Sequence, residues 1–171
     1  KLNLSEQHSR KWGEFLLRTN KKINIGISCS GNPKHLNDHN RSMPLANFLP
    51  LLDIANLYLI QKGVQGDDLQ CLNAYPEIQY PGNDLMDFED TAAIANAMDF
   101  IISVDTSLVH LAGIMEKKIF VLIPYSPEWR WMSEGSTSPW YPTAKIFRQN
   151  KRGDWETVID QVKKELLVKP Q

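Results

Sequence analysis

Two short polar segments carry the residue types that could do chemistry: Ser30-Gly31-Asn32-Pro33-Lys34 and Asp105-Thr106-Ser107. In the first, Gly31 permits close approach of a ligand to the backbone, and Lys34 and Arg41 can bring positive charge to a diphosphate. His35 and His39 make the same stretch more basic locally. The second segment runs straight into Leu108-Val109-His110-Leu111-Ala112-Gly113, which reads as a helix. A helix starting there presents unpaired N–H groups and the positive end of its dipole, and the Thr106 and Ser107 hydroxyls add donors. Phosphates bind at such helix starts. Asp105 is placed to cap the helix or hold a sugar hydroxyl, and His110, one turn in, to donate to a phosphate oxygen. Spacing alone also fits a blander picture: a plain N-cap, a core histidine and a solvated polar loop.

Other chemistries lack their signatures. Neither the P-loop G-x-x-x-x-G-K-[ST] nor the dinucleotide fingerprint G-x-G-x-x-G is present, which weighs against an NAD-dependent dehydrogenase. Ser28 and Ser30 lack the G-x-S-x-G elbow of a serine hydrolase. No C-x-x-C pair occurs, and His35 and His39 fall in a loop, so no metal site is expected. Trp129, Trp131, Trp140 and Tyr141 cluster late in the chain. Such rings can stack on a base or sugar, but gluing a long loop to a sheet is the favoured reading. Arg130 between two tryptophans reaches a phosphate or pairs locally.

Strands and helices must position these loops. Leu4 to Arg18 reads as an amphipathic helix capped by Ser5, with Trp12, Phe15 and Leu16 on one face. Strands are expected at 23–29, 57–60, 100–104, 119–123 and 145–148, with a weak one near Ile78 to Tyr80. Lys34 to Arg41 reads as a loop, and Ser42 to Asp53 as a helix shortened or kinked by Pro50. Further helices are expected from Asp90 to Met98, from Ser107 to Met115, and after a cap at Asp154. This alternation predicts an α/β fold with a doubly wound, mostly parallel Rossmann-like sheet. In the strand order 3-2-1-4-5-6, the loops after strands one and four face each other across the ligand crevice.

Composition sets the outer bounds. The 171 residues suffice for one domain with a substantial core. Nineteen Lys and Arg against twenty Asp and Glu leave a net charge of −1, which disfavours nucleic acid as a partner. No apolar run reaches the roughly 18 residues of a membrane span. Cys29 and Cys71 read as free thiols in a reducing, cytoplasmic compartment. The start at Lys1, without a signal-peptide pattern, reads as a piece of a longer protein.

The run Ile102-Ser103-Val104-Asp105-Thr106-Ser107-Leu108-Val109-His110-Leu111-Ala112-Gly113 resembles the D-T-x-x-x-H-L-A signature of the heptosyltransferase-like glycosyltransferases of family nine. The whole pattern is more similar to the glycosyltransferase-like region at the C-terminus of bacterial tetratricopeptide-repeat proteins. Ser30 to His35, Asn40-Arg41-Ser42-Met43-Pro44-Leu45, Pro127 to Trp131, Ser138 to Pro142, Phe147-Arg148-Gln149 and Gly153-Asp154-Trp155 carry that resemblance. It spans about Lys22 to Leu167. It implies the C-terminal, donor-binding half of a GT-B glycosyltransferase, with residues 1–21 a connecting helix and 22–171 a nucleotide-sugar-binding domain. By motif, Asp105, Thr106, Ser107 and His110 would meet the donor's diphosphate and ribose. Ser30, Gly31, Asn32 and Lys34 would close the other side, and Gln61 and Lys62 would lie near the nucleoside. Family members usually have Gly where Ser107 stands, so the backbone should approach phosphate less closely here. The resemblance implies a nucleotide-diphosphate sugar as donor and no metal, since a D-x-D pair is missing. It leaves the acceptor side to a missing N-terminal domain or repeat region. Two other readings compete: an interaction module that keeps the fold without catalysis, and an unrelated Rossmann-like epimerase or dehydrogenase.

Overall fold

The computed structural model describes residues 4–16, 23–32 and 36–168. Lys34 and His35 therefore lie outside the described residues, as do the last two residues of the expected first helix.

Five parallel strands form one sheet: β1 (Ile23–Ser28), β2 (Ala55–Leu59), β3 (Phe100–Val104), β4 (Ile119–Ile123) and β5 (Ala144–Arg148), in the order β2-β1-β3-β4-β5. Beyond β2, Gln79 makes a single parallel bridge with Tyr58. Its N–H donates to the Leu57 carbonyl at 2.9 Å, and its carbonyl accepts from the Leu59 N–H at 2.8 Å. The weak strand expected near Ile78 to Tyr80 thus shrinks to one bridge but occupies its place in the 3-2-1-4-5-6 order. Pro76 and Pro81 bracket it and leave no room for a longer ladder.

The strands are apolar on both faces because both are covered. On one face Ile25, Ile27, Leu57, Leu59, Ile102, Val104 and Leu122 pack under the segment 45–51 and under α6 (Trp155–Leu167). On the other, Tyr58, Ile101, Ile119, Val121 and Ile123 pack under α1 (Glu6–Phe15), α4 (Phe88–Ala97) and α5 (Ser107–Ile114). Ser5 caps α1 by accepting from the His8 N–H at 3.3 Å, and Asp154 caps α6 by accepting from the Thr157 N–H at 3.1 Å. Asp90, 2% exposed, ties α1 to α4: it accepts from Lys11 Nζ at 2.9 Å, Trp12 Nε1 at 2.8 Å and the Met86 N–H at 2.9 Å. Burial alone would raise its pKa, but these bonds and the Lys11 charge outweigh it and hold the pKa at about 2.

Three local expectations are corrected. The stretch Lys34 to Arg41 is not all loop, since Asp38–Arg41 forms one helical turn, α2. The helix expected over Ser42 to Asp53 is a 3-10 helix confined to Leu45–Leu51. Pro44 biases Met43 away from helical backbone, and Pro50 lacks the N–H an α-helix would use there. Leu45, Phe48 and Leu51 are the buried residues of this segment, at the spacing of three that a 3-10 helix puts on one side. Helix α3 (Gly66–Ala74) was not expected, because Leu72 is its one buried residue and no apolar stripe marks it.

Candidate functional site

A cavity of about 640 Å³ opens at the carboxyl ends of β1, β2 and β3. Here the strand order splits, β1 passing to β2 on one side and to β3 on the other. Ser30, Gly31, Asn32, Arg41, Gln61, Lys62, Thr106 and Ser107 all line it. The two loops that the sequence set opposite each other do meet across this crevice.

The loop after β1 is held by Gln61. Its Oε1 accepts from the N–H groups of Cys29 at 2.9 Å and Ser30 at 3.3 Å, and its Nε2 donates to Ser30 Oγ at 2.9 Å. Gln61 borders the cavity as expected, but its amide is engaged in shaping the loop. Burial, with Asp68 adding to it, pushes the Cys29 thiol up to about 12, so this cysteine is no nucleophile. Arg41 comes from α2. Its Nε donates to Asp38 Oδ1 at 3.1 Å and its Nη1 to the Asp105 carbonyl at 3.0 Å, so the guanidinium bridges the two loops. The bridge needs Gly31, since a β-carbon there would collide with the Arg41 guanidinium and with Asp38 Oδ1. Lys62, exposed at the rim, donates to the Met86 carbonyl at 2.8 Å.

Across the crevice, α5 starts at Thr106 and no side chain caps it. The Thr106 hydroxyl lies 3.0 Å from Ser103 Oγ, while Ser107 is exposed to the cavity. Open N–H groups, the Ser107 hydroxyl and one guanidinium therefore converge on one polar wall. The remaining lining is largely apolar, Ile60, Leu85, Met86 and Phe88, with Met86 and Phe88 left 73% and 65% exposed; Asp87, whose Oδ1 accepts from the Asp90 N–H at the start of α4, and Thr91 complete it. Sequence reasoning missed this apolar wall. Its signal was a pair of large apolar residues flanking the Asp87 cap of α4, where solvent-facing residues were due.

Asp105 and His110 are placed differently from the rest. Asp105 is 3% exposed and meets the cavity through its carbonyl bond to Arg41. His110 turns into a second cleft of about 270 Å³, lined also by Trp129, Arg130, Trp131, Trp140 and Tyr141. Its Nδ1 lies 2.9 Å from the Tyr141 hydroxyl, its Nε2 lies 3.8 Å from Asp105 Oδ1, and its ring stacks on Trp131 at 5.9 Å. Burial pushes its pKa below the ordinary histidine value and Arg130 adds to this, against the opposing pull of Asp105 and Glu128. At neutral pH the ring is thus neutral. Of the aromatic cluster, Trp131 is buried as expected for packing, whereas Trp129 and Trp140 are 72% and 58% exposed.

Among the described residues, His8, Asp87 and Asp90 offer ligand atoms within 4.8 Å of one another. The Lys11 ammonium, 2.9 Å from Asp90, already holds the place a cation would take. No helix among the described residues is long and apolar enough to cross a membrane.

No protein-family model matches the chain. Over 77 residues, 44% of the chain, it is 34% identical to protein FlbA of Caulobacter vibrioides, of which the match covers 12%. Its fold is similar to the E. coli ADP-heptose lps heptosyltransferase II (TM-score 0.64, 14% identity, 97% of this chain and 53% of that one). A glycosyl transferase of family 9 from Veillonella parvula gives 0.62 at 14% identity, covering 99% and 46%. The E. coli heptosyltransferase WaaC with ADP-2-deoxy-2-fluoro heptose gives 0.58 at 14% identity, covering 92% and 47%. The chain thus spans about half the length of these structures and a small part of FlbA. The all-parallel, helix-flanked sheet is the α/β fold of these GT-B glycosyltransferase neighbours.

Proposed function

We propose that this chain is the donor-binding domain of a glycosyltransferase and takes a nucleotide-diphosphate sugar into the cavity where β1 and β3 diverge. The observation that carries the reading is the two-walled cavity. Arg41, the Gly31 loop and the uncapped start of α5 face Met86 and Phe88 across it. A nucleoside diphosphate has the matching halves, an anionic diphosphate and a flat, largely apolar base. The structure of WaaC with ADP, on a similar fold, supports the same assignment.

In the reaction, the bond from the sugar's anomeric carbon to the diphosphate oxygen breaks, and a bond to an acceptor hydroxyl oxygen forms. The hydroxyl proton passes to a general base, and the nucleoside diphosphate leaves as an anion. This domain would stabilise the charge that grows on the leaving group through Arg41, the Ser107 hydroxyl and the dipole of α5, whose start at Thr106 is fixed by that residue's hydroxyl bond to Ser103. Lys34, Ser30 and Asn32 would complete the phosphate side, and Lys62 the nucleoside side. Asp105 acts here from behind the loop, positioning Arg41 through its carbonyl, with His110 3.8 Å from its carboxylate. No metal is required by this scheme. The base and the acceptor belong to the acceptor-side domain or repeat region of a larger protein, so the chain alone should bind donor without turning it over. The free thiols of Cys29 and Cys71 fit a cytoplasmic setting.

Titration with UDP, ADP and GDP, followed by backbone amide shifts, tests this. Shifts should concentrate at Ser30 to Asn32 and at Thr106 to Leu108. Silence with all three would remove the donor-binding role and leave the non-catalytic interaction module in its place.

A further inference from the structure

We infer that the second cleft, between Trp129 and Trp140, is a subsite for a single uncharged sugar ring; this builds on the donor-binding reading without depending on all of it. The cleft is an aromatic corner. The Trp129 and Trp140 rings stand at 88° with centroids 6.4 Å apart, Tyr141 and His110 close the back, and Trp131 forms the buried floor. Two indoles left 72% and 58% exposed keep much apolar surface in water. They are not loose. Arg148 donates to the carbonyls of Trp131, Met132, Glu134 and Gly135, and Ser138 Oγ accepts from the N–H groups of Trp140 and Tyr141. Met132, directly after the Trp129–Trp131 turn, sits at φ 57°, a left-handed conformation costly for a residue with a side chain. The loop is therefore braced in a strained shape that holds both indoles outward.

Charge and size select the ligand. Arg130 is ion-paired with Glu128 and His110 is neutral at pH 7, so the cleft offers no uncompensated charge for a phosphate. Its 270 Å³ lies just under the ~300–1,000 Å³ of sites that enclose drug-sized ligands, enough for one ring and too small for a nucleotide. A pyranose matches this lining: it is uncharged, of one-ring size, and offers flat C–H faces to the indoles. Position agrees. Ser107 faces the larger cavity and His110 the cleft, one turn apart on α5, about 5 Å along its axis. A phosphate at Ser107 would thus have a sugar site next to it.

The five tryptophans give separate indole N–H signals to follow. UDP-glucose, ADP-glucose, GDP-mannose and the free methyl glycosides of glucose and mannose are titrated beside UDP, ADP and GDP. Sugar-bearing probes should move the Trp129 and Trp140 signals and leave the core residues Trp12 and Trp155 still. Movement with nucleotide sugars alone identifies the donor's sugar as occupant; movement with the free glycosides identifies an acceptor's. Trp129→Ala and Trp140→Ala should each weaken the sugar-dependent effect about two- to tenfold. Trp129→Phe and Trp140→Phe should restore most of it, and shifts at Ser30 to Asn32 with nucleoside diphosphates should persist throughout. The inference is overturned if no sugar probe moves these indoles, or if nucleoside diphosphates alone move them equally. Nucleoside diphosphate shifts at Ser30 to Asn32 with silent indoles would sink the sugar subsite and keep the donor reading. Indole shifts with glycosides and no nucleotide response would do the reverse.

Discussion

Two clefts flank α5, each shaped by a side chain resting against a glycine. In the larger, the Arg41 guanidinium fills the space a Gly31 side chain would take. In the smaller, the Tyr141 ring lies over Gly113 of α5 in the same way. What approaches the glycine differs, and so does the chemistry. Arg41 brings a fixed positive charge to a wall of backbone donors, opposite an apolar wall. Tyr141 brings a ring, and the charges beside it are paired or neutralised. Helix α5 therefore serves a site for an anion and a site for a neutral ring, contributing its start to the first and His110 to the second.

The comparison breaks most visibly at Arg41. Arg41→Ala should weaken nucleoside diphosphate binding about 10- to 100-fold, the worth of a charge-assisted hydrogen bond of about 1.5–3 kcal/mol. Gly31→Ala should do nearly as much by displacing the guanidinium, while any shifts of Trp129 and Trp140 with the free methyl glycosides remain. Calorimetric titration with the tightest of UDP, ADP and GDP reads both. Wild-type affinity in Arg41→Ala would show that the guanidinium only ties the two loops together.

Gly113→Ala tests the other cleft. The added methyl collides with the Tyr141 ring and should destabilise the fold by about 1–3 kcal/mol, the usual cost of overpacking. Chemical denaturation measures that loss, and the Trp131 indole signal should move with the displaced ring. Nucleoside diphosphate affinity should stay within a factor of two, because Gly113 lies at the far end of α5 from Ser107. An equal loss of nucleotide affinity would mean that the clefts act as one site.

The larger cleft was far more legible in the sequence than the smaller. Strands apolar on both faces, alternating with helices, predict a doubly wound sheet, and the order 3-2-1-4-5-6, assumed for that class, places the Gly31 loop against Thr106 and Ser107. That inference is local chemistry combined with one topological rule. The apolar wall at Met86 and Phe88 was missed because neither residue type announces chemistry, and its one signal is their place beside the Asp87 cap. The 3-10 turns at 45–51 were hidden by a spacing that fits either helix type, with Pro44 and Pro50 deciding between them. His110 shows the deeper limit. Its position one turn into α5 suggests the phosphate side, yet its ring is drawn away by Tyr141, 31 residues downstream. No periodicity within α5 encodes a partner delivered by a distant loop.

The smallest expected effect is also the one that separates the clefts most cleanly, because it titrates one and not the other. His110 is held below its ordinary pKa of about 6.5 by burial first and by Arg130, with Asp105 and Glu128 opposing. A histidine depressed in the folded state contributes stability that is fully present above the unfolded pKa and is lost as pH falls through the folded one. Stability should therefore decline on acidification below about pH 6.5, in a step that His110→Gln reduces. Protonation makes Nδ1 a donor, so the Tyr141 hydroxyl can then only accept from it. The sugar-dependent shifts at Trp129 and Trp140 should weaken over the same window, by less than about threefold, since one hydrogen bond is rearranged rather than removed. Asp105→Asn removes an opposing charge and should move the window lower, whereas Arg130→Ala should move it higher. A histidine ring titration by NMR reads these midpoints directly. A midpoint above 6.5, or one unmoved by both substitutions, would show that the aromatic cleft is wetter than its packing implies.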